Sequence, residues 1–381
     1  MDTSLYFDYA AATPVDPFVL EAMTPYFSDR FYNPSAMYGP AQAVRADLEE
    51  ARARIGHWLG ARPSEVVFTA GGTEANNLAI RGVLEQFPEG NMVTSRMEHD
   101  SVLQTGERFA VREAPVTAEG IMDIAALLRL IDDQTVLVSV MYANNEIGTI
   151  QPIRNIAHAI EVVRRDRQAR GISVPIYFHS DAAQAAAYLD LHVSRLGVDL
   201  LSINGGKIYG PKGSGALFVK SGVRLAPQLL GGGQERGLRS GTENVPAVVG
   251  LATALDLVQE NRQVESTRLA PLRDYFLDEL SLKIPGVLIN GSRKLRLPNN
   301  VHVTLPGQDN ERLLFALGEQ GILCAAGSAC SASSDEPSHV LDALGVSEAA
   351  ARSSLRFTLG HATTRQSIDR VVTALLQIMS L

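Results

Sequence analysis

The stretch Glu65–Glu85, EVVFTAGGTEANNLAIRGVLE, carries the pattern that decides the fold. Its first five residues are mostly β-branched or aromatic and suit a short strand. From Ala75 to Glu85 apolar residues return at helical spacing. Between the two lie Ala70-Gly71-Gly72-Thr73. Glycines at a strand-to-helix turn let backbone N–H groups approach an anion closely, and a helix N-terminus favours negative charge. Thr73 is read as the N-cap, adding a hydroxyl. The turn therefore suits a phosphate, although simple helix capping would use the same residues. No Walker lysine follows and no G-x-G-x-x-G opens a helix, so neither a nucleoside triphosphate nor a dinucleotide is indicated.

Working outward, the same alternation continues on the C-terminal side. Strands are expected at Asn91–Ser95, Val136–Met141, Val174–His179 and Leu200–Ile203, with helices at Ala41–Leu59 and Ile153–Gln168. Val- and Ile-rich strands alternating with helices indicate a mostly parallel sheet covered on both faces, whose ligands bind at the carboxyl ends of the strands. After Pro246 the texture changes to a long helical stretch, Val248–Leu282, then a strand at Asn300–Leu305 and helices around Glu311–Gln320 and Thr364–Met379. This reads as a smaller α+β unit. With 381 residues, 45% of them hydrophobic, the chain can bury a large core without staples. A net charge of −8 argues against a nucleic-acid partner. No apolar run is long enough to span a membrane, no signal peptide is read at the start, and two cysteines fit a reducing, cytoplasmic setting.

Three further positions carry chemistry. Asp181 closes the strand-like run before Ala182-Ala183-Gln184 and is placed either to cap a helix or to pair with a protonated ring nitrogen. Lys207 stands in Asn204-Gly205-Gly206-Lys207-Ile208-Tyr209-Gly210, one of only five lysines. A lysine among glycines after an apolar strand has the setting an amine needs to meet a cofactor aldehyde. Cys330 lies in a run of small polar residues, GSACSASSDEP, that suits a loop, whereas Cys324 sits in the apolar GILCAA and is read as core. The spacing of the cysteines and histidines indicates no metal site.

Taken in order, TAGGTEANN, MEHDSV, ANNEIGTIQP, DAAQ, GGKIYGPKG, GGGQERGLRSGTENV, GSACSASSDEPSHVL and RFTLG span nearly the whole chain. Together they resemble the class V aminotransferase superfamily of pyridoxal-phosphate (PLP) enzymes, fold type I, and within it the cysteine desulfurases of the NifS/IscS type. The resemblance implies a seven-stranded, mostly parallel large-domain sheet flanked by helices over residues 16–250. It implies a small α+β domain made of 1–15 with 251–381. Lys207 would hold PLP as a Schiff base, Asp181 would pair with the ring nitrogen, Gln184 would bond the ring oxygen and His99 would stack on the ring. Gly72, Thr73 and Asn204 would bind the phosphate, with Thr242 reaching the phosphate of the partner subunit in a homodimer. Asn145 and Arg356 would contact L-cysteine, Arg356 through its carboxylate, and Cys330 would receive the sulfur as a persulfide for an acceptor protein, an iron–sulfur scaffold or a thiolation enzyme.

Two rivals share the residues. A selenocysteine lyase or cysteine-sulfinate desulfinase would not need Cys330, and a non-catalytic partner-binding protein would not need Lys207, Asp181, Arg356 and Cys330 together. Two departures from the family stand out. Gly206 occupies the position before the lysine where relatives carry histidine. The chain also ends soon after Arg356, where longer relatives continue into a segment that docks the scaffold.

Overall fold

Ten strands form two sheets in the computed structural model, which describes residues 3–327 and 338–380. The strands are β1 (Val66–Thr69), β2 (Asn91–Ser95), β3 (Ala110–Ala114), β4 (Thr135–Ser139), β5 (Tyr177–Asp181), β6 (Leu200–Asn204), β7 (Gly215–Val219), β8 (Leu288–Ile289), β9 (Asn300–Thr304) and β10 (Ser354–Thr358). The large sheet has the order β1-β7-β6-β5-β4-β2-β3. Its pairs from β3 to β6 are parallel, and only β7 runs against its neighbours β6 and β1. The mostly parallel sheet expected from the sequence is present, and β1, β2 and β4 are buried along their whole length, as strands covered on both faces must be.

Four of the strands do not announce themselves in the sequence, one of them the two-residue β8. β3 reads AVREA and is largely exposed, because it is the sheet edge and buries no face. β7 hides behind the Gly-rich run that precedes it, and β10, SLRFT, has a buried arginine at its centre. The long helical stretch after Pro246 is two helices, Val245–Glu260 and Arg262–Lys283, meeting at Asn261.

β8, β9 and β10 form a separate antiparallel sheet in the order β10-β9-β8. Its core contains Phe276, Val301, Val303, Leu355 and Phe357, joined by Leu5 and Phe7 from the far end of the chain. The N-terminal segment is stitched in by backbone bonds: Phe7 N donates to Leu323 O and Thr358 N donates to Phe7 O, both at 2.7 Å. Beyond Phe7 the segment crosses to the large sheet, where Thr13 N donates to Gly206 O (3.2 Å) and Asp16 N to Tyr209 O (2.9 Å). Residues 8–13 thus lie between the two sheets.

A buried ion pair pins the Gly231–Val245 loop to the large sheet. Arg52 gives two parallel 2.7 Å bonds to Glu235, whose carboxylate also accepts Phe68 N at 2.8 Å. Both side chains are almost fully buried. Glu235 and Arg236 hold φ of 47° and 59°, which L-residues adopt at a cost that surrounding contacts must offset. Glu235→Ala would remove the buried partner of the Arg52 charge and leave it only the exposed Glu49. It is expected to lower the unfolding free energy, measured by urea denaturation, by about 3–5 kcal/mol, and the double change Arg52→Met with Glu235→Leu by much less.

Candidate active site

At the carboxyl ends of β4, β5 and β6 a cavity of about 180 Å³ opens between the sheets. Its floor comes from Asp181, the last residue of β5. Asp181 is buried, and each carboxylate oxygen has a donor: Asn76 Nδ2 gives to Oδ2 at 2.7 Å and Ala183 N gives to Oδ1 at 2.8 Å. Two residues earlier on the same strand, His179 lies between Ser139 Oγ (2.9 Å) and Ser202 Oγ (3.0 Å). Complete burial pushes its pKa down to about 4, against a smaller raising effect of Asp181, so the ring is neutral at pH 7. Glu98 is likewise buried, and desolvation first, then Asp181's charge, push its carboxyl well above the usual range against the pull of Met141 N.

Lys207 ends the 3-10 turn that follows β6 and donates to Ala11 O at 2.6 Å. Of the five lysines it alone lines the cavity. Lys212 donates to Thr13 O, Lys220 pairs with Asp199 and Lys283 with Glu279. Gln184 also reaches the N-terminal segment, its Nε2 donating to Ala10 O at 3.0 Å. Across the cavity, Arg356 is only 1% exposed. Its Nη2 donates to Asp8 Oδ1 (2.7 Å) and its Nη1 to the backbone oxygen of Asn145 (2.9 Å), while the buried Nε has no protein acceptor among the described residues.

The glycine turn differs from its sequence reading in one respect. Thr73 is not the N-cap: the helix spans Gly72–Leu84 and Gly71 caps it at φ 145°, ψ −179°, a conformation open only to glycine. Thr73 therefore lies within the first turn and faces the cavity, and Glu74 Oε2 reaches back to accept Ala70 N at 3.0 Å. Asn204 closes this corner. Its Oδ1 accepts Gly206 N (3.0 Å), which leaves its NH₂ group toward Gly72.

His99 caps the helix Asp100–Gly106 and lines the same cavity, as does Asn145. Thr242 does not, and lies exposed on the loop pinned by Glu235. Cys330 lies outside the described residues. Cys324 is not fully buried as read; it packs at the margin of the small-sheet core, where burial, then Asp8, raise its thiol pKa and Arg356 lowers it. Among the described residues no group of three or more His, Cys, Asp or Glu is gathered as a metal site.

The donors in the cavity fit a phosphorylated pyridine aldehyde: an amine, a carboxylate at the floor, and a glycine-opened helix N-terminus with an amide beside it for a dianion. The aminotransferase class-V model matches residues 5–371. The chain belongs to the class V aminotransferase family. As a member of that family it is a PLP-dependent enzyme. Cysteine desulfurase IscS of Dictyoglomus turgidum is 40% identical over 386 aligned positions, which cover 100% of this chain and 95% of the relative. The IscS of Methanosarcina thermophila is 41% identical, covering 99% and 92%. A solved NifS-like protein superposes with a TM-score of 0.90 at 32% identity, covering 99% of both chains. A structure of SspA in complex with cysteine gives 0.80 at 37% identity, covering 94% and 99%. Relatives at this identity over the whole chain put it in the cysteine desulfurase branch of the class V family.

Sequence reasoning passed over Asn76, Ser101 and Asp8, which hold Asp181, His99 and Arg356. Asn76 had a signal: it stands one helical turn after Gly72, on the face that meets the cavity. Asn204 Nδ2 is the side-chain amide nearest Gly72 in this corner. Asn204→Ala is expected to weaken PLP retention, followed by absorbance during dialysis, by roughly ten- to a hundredfold, the worth of a hydrogen bond to a charged group. Gly206→His should restore part of it, since a Cβ there meets nothing closer than 3.5 Å.

Proposed function

We propose that this chain removes sulfur from L-cysteine with PLP held on Lys207, leaving L-alanine and a persulfide on Cys330. The observation that carries the reading is that Lys207, Asp181, His99 and Arg356 converge on one cavity from four separate parts of the chain. PLP, when bound, supplies an electron sink that weakens the bonds at the substrate's Cα.

The chain's own residues do the rest. Arg356 takes the substrate carboxylate with its planar fork, one donor of which is buried and unmatched among the described residues. Asn145 lies beside it. Asp181, accepting from Asn76 and Ala183, is the fixed anion that keeps a ring nitrogen protonated. Gly72, Thr73 and Asn204 hold the phosphate, Gln184 the ring oxygen, and His99 covers the ring. The Lys207 amine, released by the substrate's amine, takes and returns the proton at Cα. Cys330 thiolate attacks the substrate sulfur; the carbon–sulfur bond breaks as the sulfur–sulfur bond forms. The persulfide then passes to an acceptor protein in the cytoplasm, an iron–sulfur scaffold or a thiolation enzyme.

The same reading takes residues 16–250 as the large domain and 1–15 with 251–381 as the small one, supported by the separate cores of the two sheets. It takes the assembly as a homodimer in which Thr242 completes the partner's phosphate site. Supporting this, Phe27, Phe31, Met37 and Leu230 are large apolar side chains left 63–90% exposed. Neighbouring Tyr26 and Tyr32 pack on Val245 and Val249, beside the Thr242 loop.

Reduction with borohydride tests the cofactor assignment: it should fix the chromophore to the peptide carrying Lys207, and an adduct on Lys212 would refute it. Cys330→Ser separates sulfur transfer from cofactor chemistry. The variant is expected to change the PLP spectrum on adding L-cysteine yet release no sulfide with thiol present, whereas Cys324→Ser stays active. Equal sulfide release from Cys330→Ser and the wild type would favour a lyase or desulfinase instead.

A further inference from the structure

Asp181 and His99 are joined by a chain of hydrogen bonds through two residues that contribute nothing else to the proposed chemistry. Asn76 Nδ2 donates to Asp181 Oδ2 at 2.7 Å and to Ser101 Oγ at 2.8 Å. Ser101 Oγ lies 2.9 Å from His99 Nδ1, and Ser101 N donates to the same Nδ1 at 3.0 Å. All four side chains line the cavity, although they come from β5, the helix Gly72–Leu84 and the N-terminus of the helix Asp100–Gly106.

Donor and acceptor chemistry fixes the direction of every link. An ionised carboxylate only accepts, so the Asn76 amide must turn its NH₂ group to Asp181. The second hydrogen of that NH₂ goes to Ser101 Oγ. The single Ser101 O–H is then left to point at His99 Nδ1. A backbone N–H cannot rotate away, and Ser101 N already points at Nδ1 because His99 is the cap of its helix. Both hydrogens converge on one nitrogen, so Nδ1 is an acceptor.

We propose that Asn76 and Ser101 are positioning residues that, with the helix cap, hold His99 as its Nε2–H tautomer and tie its orientation to Asp181. This inference rests on the cofactor reading of the same cavity. In that tautomer the one unprotonated nitrogen of the ring, Nδ1, is taken up by the two donors of Ser101, and Nε2 carries the hydrogen. It meets the cofactor and substrate as a hydrogen-bond donor. With Nε2 carrying its hydrogen, His99 leaves the proton at Cα to the Lys207 amine, as in the proposed function.

The arrangement can be read directly in holoenzyme labelled with nitrogen-15 in its histidine rings, with His99→Gln assigning the resonances among the eight histidines. The expected result is an unprotonated Nδ1 and a protonated Nε2 for His99 at neutral pH. Kinetics give a second reading. Ser101→Ala removes a hydroxyl bond worth roughly two- to tenfold, so kcat should fall by about that factor while KM for L-cysteine changes by less than about twofold, and Ser101→Thr should restore kcat. A proton on Nδ1 in the wild type overturns the inference, as does a Ser101→Ala enzyme with unchanged kcat. Either result in a protein whose Lys207 peptide is trapped with PLP by borohydride leaves the proposed function standing; failure of that trapping undoes the function itself.

Discussion

One carboxylate organises this molecule. Asp181 ends a central strand of a sheet covered on both faces, where an uncompensated charge would be costly. The structure meets that demand twice. Donors are supplied to both oxygens, by Asn76 from a neighbouring helix and by the backbone of Ala183. Other titratable groups nearby are kept from adding charge: His179 is neutral between two serines, and Glu98 is driven toward its protonated form by burial and by Asp181 itself. The floor of the cavity therefore presents one fixed negative charge rather than a diffuse field.

The opposite constraint governs the cations. Lys207 and Arg356 would repel each other in an empty cavity, and the segment from Asp8 to Thr13 answers both. The Ala11 carbonyl accepts Lys207, and Asp8 with the Asn145 carbonyl accepts Arg356. The same segment takes Gln184 at Ala10 and clasps Gly206 at Thr13. A six-residue strip thus sets the separation between Lys207 and Arg356, and carries the small-sheet core on its other side through Phe7.

Much of this was legible before any coordinates. Strands β2, β4 and β6 and the helices beside them follow from apolar periodicity, since a doubly covered parallel sheet writes its burial into consecutive Val, Ile and Leu. Lys207 and Asp181 stand out because each is a charged group in an apolar or glycine-rich setting, whereas Arg356 is marked only by the family resemblance. What escaped was of two kinds. β3 has no buried face to write a pattern, and the cap at Gly71 depends on a backbone angle that Thr73, the better capping residue by propensity, disguised. Asp8 and Asn76 act through partners 348 and 105 residues away, pairings that no local window contains, whereas Ser101 meets His99 only two residues away, in a cap that the sequence reading passed over.

The strip between the sheets also dictates when the site can exist. Residues 8–13 are made before Lys207, and Arg356 follows Lys207 by 149 residues, roughly 7–30 s later at 5–20 residues per second. Until then Phe7 lacks its backbone partner Thr358, and the large sheet stands without one wall of its cavity. A nascent chain can therefore complete its parallel sheet and expose its lysine, yet hold neither the arginine nor the closed pocket. The residues that line the cavity from the large sheet are thus all made before the wall that Arg356 adds.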